Sequence, residues 1–165
     1  MVKVIMVDRN DEVVGLKERN LVGVGDIYRN SALWITNSNG DILIAQRAFT
    51  KKNDPGKWGP AVAGTIEEGE SYDGNIIKEI FEEIGLKLSI GDLKKGKKLF
   101  RQRKSGDCFC QLYYYTIDKQ ASEFVIQQEE VAQVKWFKKN ELRKMILDNP
   151  EMFLRITLEL VDNLI

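Results

Sequence analysis

Apolar and polar residues alternate with a period near two along much of this chain and shift to a helical period in three places. Period-two stretches predict strands at residues 2–7, 13–16, 31–36, 42–46, 61–63, 97–103 and 108–117, and at Val131–Phe137. The turn at residues 8–11 separates the first two strands, and residues 17–28 suit neither pattern. Asn37-Ser38-Asn39-Gly40-Asp41 supplies turn chemistry for a hairpin between 31–36 and 42–46, and Ser105-Gly106-Asp107 does so for a second one. Residues 48–59 read as a polar loop. A helix is predicted over Tyr72–Ile84 with Ser71 as its cap, and another over 140–147. A last helix is expected to start at Asn149 as N-cap and Pro150 as first residue and to end near Leu164. Hairpin-linked strands interspersed with helices predict an α/β sandwich on a mixed sheet, not a doubly wound parallel one.

Composition narrows the chemistry more than the fold. A chain of 165 residues supports one domain with a sizeable core, taken here as 1–165. Its 25 basic and 25 acidic side chains balance, so no net field steers it onto nucleic acid or a membrane. No apolar run reaches a membrane span, and the N-terminus lacks the form of a signal peptide, so a cytoplasmic location is expected. Cys108 and Cys110 stand two apart on one strand face, which suits core packing better than a disulfide or zinc site. The sequence contains 0 histidines, which removes Ser-His nucleophiles and His-ligated metals together. Chemistry must then run on carboxylates, lysines, tyrosines, thiols or an activated water.

The helix at Tyr72–Ile84 carries the candidate chemistry. With Glu79 at zero, Glu82 and Glu83 fall at about −60° and +40°, taking about 100° per residue. Ile76, Ile77, Ile80, Phe81 and Ile84 fall on the other side, so one face is greasy and the other clusters negative charge. Like charges at this spacing destabilise a helix by roughly 0.2–0.5 kcal/mol per pair. A cation reverses that cost, and oxygen donors without His or Cys favour Mg²⁺, Mn²⁺ or Ca²⁺ over zinc.

Gly64, Glu70, Lys78, Glu79, Ile80, Glu82, Glu83, Gly85 and Leu86 follow the spacing G-x5-E-x7-R-E-U-x-E-E-x-G-U, with U aliphatic. The segment thus resembles the Nudix box, with Lys78 in place of the usual Arg. The resemblance implies a Nudix-type α/β/α sandwich with a mixed β-sheet. It also implies metal-dependent hydrolysis, with Mg²⁺ or Mn²⁺, of a phosphoanhydride bond in a nucleoside diphosphate derivative or related diphosphate. By the family pattern Glu82 and Glu83 are metal ligands, Glu79 is a ligand or positions the nucleophile, and the Gly64 carbonyl adds an oxygen. Glu70 is a structural partner or a substrate contact. Lys78 orients a catalytic carboxylate, although an ammonium cannot make the planar two-pronged contact of a guanidinium. A further acid often comes from a later loop, for which Glu130 leads Glu129 and Asp107. Arg47 is a candidate phosphate contact. Trp58 either packs under its loop or stacks on a base, and Phe49, Tyr113 and Tyr115 are undecided in the same way. The partner is a small-molecule diphosphate, and homodimers are common in the family.

Two other readings stay in view. One is a Nudix-fold binding or sensor module without catalysis, which has no need to keep all three helix glutamates. The other is an isopentenyl-diphosphate isomerase, which the spacing of Trp58 and Gly64 also resembles. That isomerase places a catalytic Cys before the box glycine and uses His ligands, whereas this chain has Ala63 and no histidine.

Overall fold

The computed structural model describes residues 1–164, with side chains through Glu159. Nine strands and three α-helices follow in chain order. The strands are β1 (Lys3–Val7), β2 (Val13–Glu18), β3 (Ile27–Thr36), β4 (Ile42–Arg47), β5 (Trp58–Gly59), β6 (Val62–Thr65), β7 (Lys94–Arg101), β8 (Asp107–Thr116) and β9 (Val131–Phe137). The helices are α1 (Tyr72–Ile84), α2 (Lys139–Asp148) and α3 (Arg155–Leu164).

β3 organises the sheet. One of its edges pairs in parallel with β8 along its whole length, from Ile27↔Asp107 to Thr36↔Thr116. The other edge is shared in succession by β1 at Tyr28, β6 from Asn30 to Leu33, and β4 at Ile35 and Thr36. The sheet is therefore mixed, and the 37–41 turn closes a hairpin that pairs only next to the turn. Beyond it β4 leaves β3 for β9 and β5, and the gap admits β6, which carries Gly64.

Alternation along β3 sorts the core into two layers. Leu33 and Ile35 face α1 and pack with Tyr113, Ile76, Ile80 and Ile84. Ala32 and Trp34 face the other way, against Leu112, Leu142, Ile146, Phe153 and Ile156. Helices thus cover both faces of a mixed sheet, an α/β/α sandwich. Cys108 and Cys110 are buried free thiols, in the core as their spacing suggests.

α1 keeps the predicted bounds because its signals are local. The Ser71 hydroxyl accepts from the Gly74 amide at 3.0 Å, and Gly85 ends the helix in the left-handed region at φ 71°. Phe81 departs from the apolar stripe: it is 53% exposed, and Lys87 lies over its ring. The start of the last helix also differs. Asn149 makes no side-chain cap, and Pro150–Met152 forms a single 3-10 turn. Phe153 then bridges to Trp58 and the Leu154 amide donates to the Trp58 carbonyl at 2.7 Å, so the chain is held extended until Arg155. A buried aromatic overrides a local start signal here.

That bridge decides Trp58. Its side chain is buried, edge-on to Phe137 at 5.7 Å between ring centroids, so it is core and not a surface for a base. Trp58→Ala should cost about 3–5 kcal/mol, the usual range for emptying a large buried aromatic site. Trp58→Phe should cost less and leave ligand affinity unchanged, as read by chemical denaturation and calorimetry.

Candidate functional site

β6 and α1 meet at a point where only glycine fits. A Cβ on Gly64 would stand 2.5 Å from Glu79 Cγ, 2.7 Å from its Cδ and 2.8 Å from Asn75 Oδ1. The missing side chain lets Glu79 lie against the strand backbone, beside the Gly64 peptide. Asn75, one turn before Glu79, is completely buried and holds this junction together. Its Oδ1 accepts from the Ser31 hydroxyl on β3 at 2.6 Å. Its Nδ2 faces three acceptors: the Thr65 carbonyl at 3.2 Å, Glu70 at 2.8 Å and Glu79 at 3.3 Å. Asn75 and Ser31 go unnoticed in a motif reading. The signal that could have found Asn75 is a polar residue four before Glu79 on the same helical face.

Lys78 lies among carboxylates. Its ammonium is 2.6 Å from Glu70, 3.4 Å from Glu79 and 3.8 Å from Glu67. A point charge here bridges several acids at once, where a planar fork would commit to one pair. Glu70 is placed by this contact, by Asn75 and by accepting from the Glu67 amide at 2.9 Å. Burial tends to raise its pKa, but Lys78 and these hydrogen bonds win and hold it low. Its position is that of a brace between the loop and α1.

Glu83 is the anomaly of the helix. The helical wheel puts it on the charged face, yet it is only 9% exposed. It accepts a long bond of 3.3 Å from the Ala63 amide. Burial, with repulsion from Glu79 and then Glu130 against this bond and Arg47, pushes its pKa up to about 8. Glu79 is also raised, mainly by burial, partly offset by Lys78 and reinforced by repulsion from Glu82. Glu82 is exposed. Among the described residues no three acidic or thiol side chains converge closely enough to enclose a metal ion. The predicted ligands thus approach from different sides: Glu79, Glu82 and Glu83 from α1, the Gly64 peptide from β6, and Glu130 from the loop before β9. The donor set is all oxygen, and two carboxyls disfavoured as anions by burial and mutual repulsion fit a hard divalent cation.

Glu83 and Glu130 line one small cleft of about 30 Å³ together with Ala63 and Arg47. Beside it opens a cavity of about 520 Å³ reached by Gly64, Arg47, Lys51 and Glu130. Lys51 pairs with Glu130, and the Arg47 guanidinium donates to the Asn53 carbonyl at 3.0–3.2 Å. Arg47 therefore borders both spaces, and among the described residues it forms no salt bridge with a carboxylate. Glu129 and Phe49 are exposed and line neither space, while Tyr113 is buried against α1 and donates to Asp73. Tyr115 packs against the α1-side core, and Asp107 caps the β7–β8 turn by accepting from the Arg103 amide at 3.2 Å. Gly64→Ala should drive Glu79 and Asn75 off their positions. The expected result is about 1–3 kcal/mol of lost stability, as for other overpacked sites, with loss of divalent-cation binding in a titration of the folded protein.

Comparison with known proteins identifies the family. The chain is similar to an uncharacterised Nudix hydrolase of Pseudomonas aeruginosa, at 25% identity over 80% of this chain and 76% of that one. It is also similar to an isopentenyl-diphosphate Delta-isomerase of Klebsiella pneumoniae, at 28% identity over 61% of this chain and 54% of the other. An NAD-capped RNA hydrolase of Mannheimia succiniciproducens is 31% identical over 61% of this chain and 36% of its own. Among solved structures, a Deinococcus radiodurans protein superposes with a TM-score of 0.80 at 21% identity, covering 98% of both chains. The NUDIX domain of Shewanella oneidensis NrtR, solved with ADP-ribose, gives 0.60 at 18% identity over 81% and 83%. Residues 28–156 match the NUDIX domain family, so the chain belongs to the Nudix hydrolase family.

Proposed function

We propose that this protein hydrolyses a phosphoanhydride bond in a nucleoside diphosphate derivative or related small-molecule diphosphate, with Mg²⁺ or Mn²⁺. The observation that carries the reading is Glu83, a buried carboxyl that feels the charges of Glu79 and Glu130 and lines a small cleft with Glu130, next to a cavity bordered by Arg47 and Lys51. Structural economy alone does not keep an acid there, since burying an uncompensated carboxylate is costly. Glu79, Glu82, Glu83 and the Gly64 carbonyl would hold the ion, with Glu130 completing the set from the turn before β9. Once bound, the ion supplies the positive charge that neutralises diphosphate oxygens and polarises phosphorus.

The chain's own groups do the rest. Asn75 and Lys78 fix the Glu79 carboxylate beside Gly64, so its orientation precedes substrate binding. Arg47 and Lys51 border the cavity at the same end and can receive the diphosphate oxygens. Ala63 presents a methyl and an amide where an isomerase would need a thiol, and no histidine is available. Isomerisation therefore lacks a proton-transfer agent despite the similarity to isomerases. Among the described residues no helix is long and apolar enough to cross a membrane.

Release of phosphate or nucleotide from a panel of nucleoside diphosphate derivatives, with and without Mg²⁺ or Mn²⁺, tests the activity. Turnover should require the ion. Glu82→Gln and Glu83→Gln should each lower kcat at least about a hundredfold, equivalent to about 3 kcal/mol of lost charge stabilisation. Binding without turnover of any member would instead mark a ligand-binding module.

Stability without metal gives an independent check. The folded pKa of Glu83, about 8, lies above the ordinary 4.5. Between these values the folded state holds more protons than the unfolded one. This contribution to stability is therefore complete below about pH 4.5 and is lost as pH rises toward about 8. Cation binding displaces the proton. The rise in Tm produced by MgCl₂ should consequently grow from about pH 6 to about pH 8.5, and this growth should vanish in Glu83→Gln.

A further inference from the structure

The large cavity does not end at the diphosphate groups. Its far wall carries Arg101 and Arg103 from the β7–β8 hairpin and Tyr28 and Asn30 from β3. The two arginines differ in how they are satisfied. Arg101 is committed to Glu159, with Nε 2.8 Å from the carboxylate. Among the described residues Arg103 hydrogen-bonds only to neutral groups: its Nη1 donates to the Tyr28 hydroxyl at 2.9 Å and its guanidinium touches the Cys108 thiol, while the Asp54 carboxylate acts on it only as a neighbouring charge. A partly buried guanidinium with five donors and, among the described residues, no ion-paired carboxylate is a site with spare capacity. Two residues on from Tyr28 along the same face of β3, the Asn30 Oδ1 is buried with no hydrogen-bond partner among the described residues. A buried acceptor left unpaired costs free energy, so each such atom in a cavity wall calls for a donor.

These two features ask for opposite things of one ligand: anionic oxygens for Arg103, and a hydroxyl hydrogen for Asn30 about two residues away. The ring at this end is Tyr28, held by Arg103, and neither Phe nor Trp lines the cavity. A stacked base therefore finds no platform here. Tyr28 lies three residues before Ser31, which pairs with Gly64. At about 3.3 Å per residue this puts the Arg103 end about 10 Å from the Gly64 end along the strand.

We infer that the far end of the cavity is a subsite for a phosphorylated sugar, its phosphate on Arg103 and a hydroxyl donating to Asn30 Oδ1. This assignment rests on the hydrolase reading only in taking the Gly64 end as the place of the diphosphate. The preferred substrate is then a diphosphate whose sugar portion bears a further phosphate.

Calorimetry separates the two ideas, with ribose 5-phosphate, ribose, inorganic phosphate and, in MgCl₂, inorganic pyrophosphate as probes. Ribose 5-phosphate should bind at least about tenfold more tightly than ribose or inorganic phosphate. Arg103→Gln should remove that advantage and leave pyrophosphate affinity within about twofold. Asn30→Asp, which keeps the shape of the strand and places an anion beside the phosphate, should weaken ribose 5-phosphate in the same way. It reports on the subsite even if Arg103→Gln unfolds. Equal binding of ribose 5-phosphate and inorganic phosphate, or an advantage that survives in every folded variant, overturns the assignment. Sugar phosphate binding that depends on Arg103, without hydrolysis of any diphosphate, would sink the catalytic reading and leave the subsite standing.

Discussion

The buried amide of Asn75 is the joint on which the site depends. It has no water to fall back on, so each of its contacts must be made by protein. It makes them to a hydroxyl on β3, the carbonyl that ends β6, and two acids, one on the loop before α1 and one on the helix. Sheet, loop and helix are therefore located by one side chain, in a volume that excludes anything larger than glycine at position 64. Close packing does the positioning, and the polar network makes the packing unique.

Charge is distributed around that joint with a clear division of labour. Lys78 neutralises the loop side, where Glu67, Glu70 and Glu79 crowd together. Glu83 has only the Ala63 amide and the more distant Arg47 to favour its ionised form. One flank is thus internally balanced and mechanically firm, while the other is left electrostatically incomplete. A rigid support next to a buried carboxyl with few partners is the arrangement that the proposed cation site calls for, since preorganised groups lose little on binding.

How much of this can be read from the chain depends on whether the signal is local. Ser71 and Gly85 bound α1 correctly because a cap and a left-handed stop act within a few residues. The box spacing from Gly64 to Leu86 likewise survives without tertiary information, as does the mixed α/β/α architecture. Asn149 and Pro150 mislead, because Phe153 is drawn into a bridge with Trp58 across about 95 residues of chain, a contact no local rule contains. Trp58 is ambiguous for the same reason: an aromatic beside a glycine-rich loop looks alike whether it packs or stacks. Glu83 reads as solvated because a helical wheel knows nothing of what β6 lays over it. Asn75 stands at an undefined position of the motif and Arg103 outside it, and only their tertiary contacts reveal what they face.

The turn that leads into β9 has a consequence for how such a chain can diversify. The Gln127 amide donates to the carbonyl of Glu83 at 3.0 Å, and the Glu130 amide returns to the Gln127 carbonyl at 2.9 Å. Two backbone bonds thus lock the spacing between an acid on the helix and an acid on a surface loop. Residues 118–123 lie upstream of this clasp, so insertions there can lengthen the loop without shifting Glu130 relative to Glu83. Tolerance to length change on one side of a two-bond fastener is a route by which new ligand preferences arise over an unchanged reaction centre.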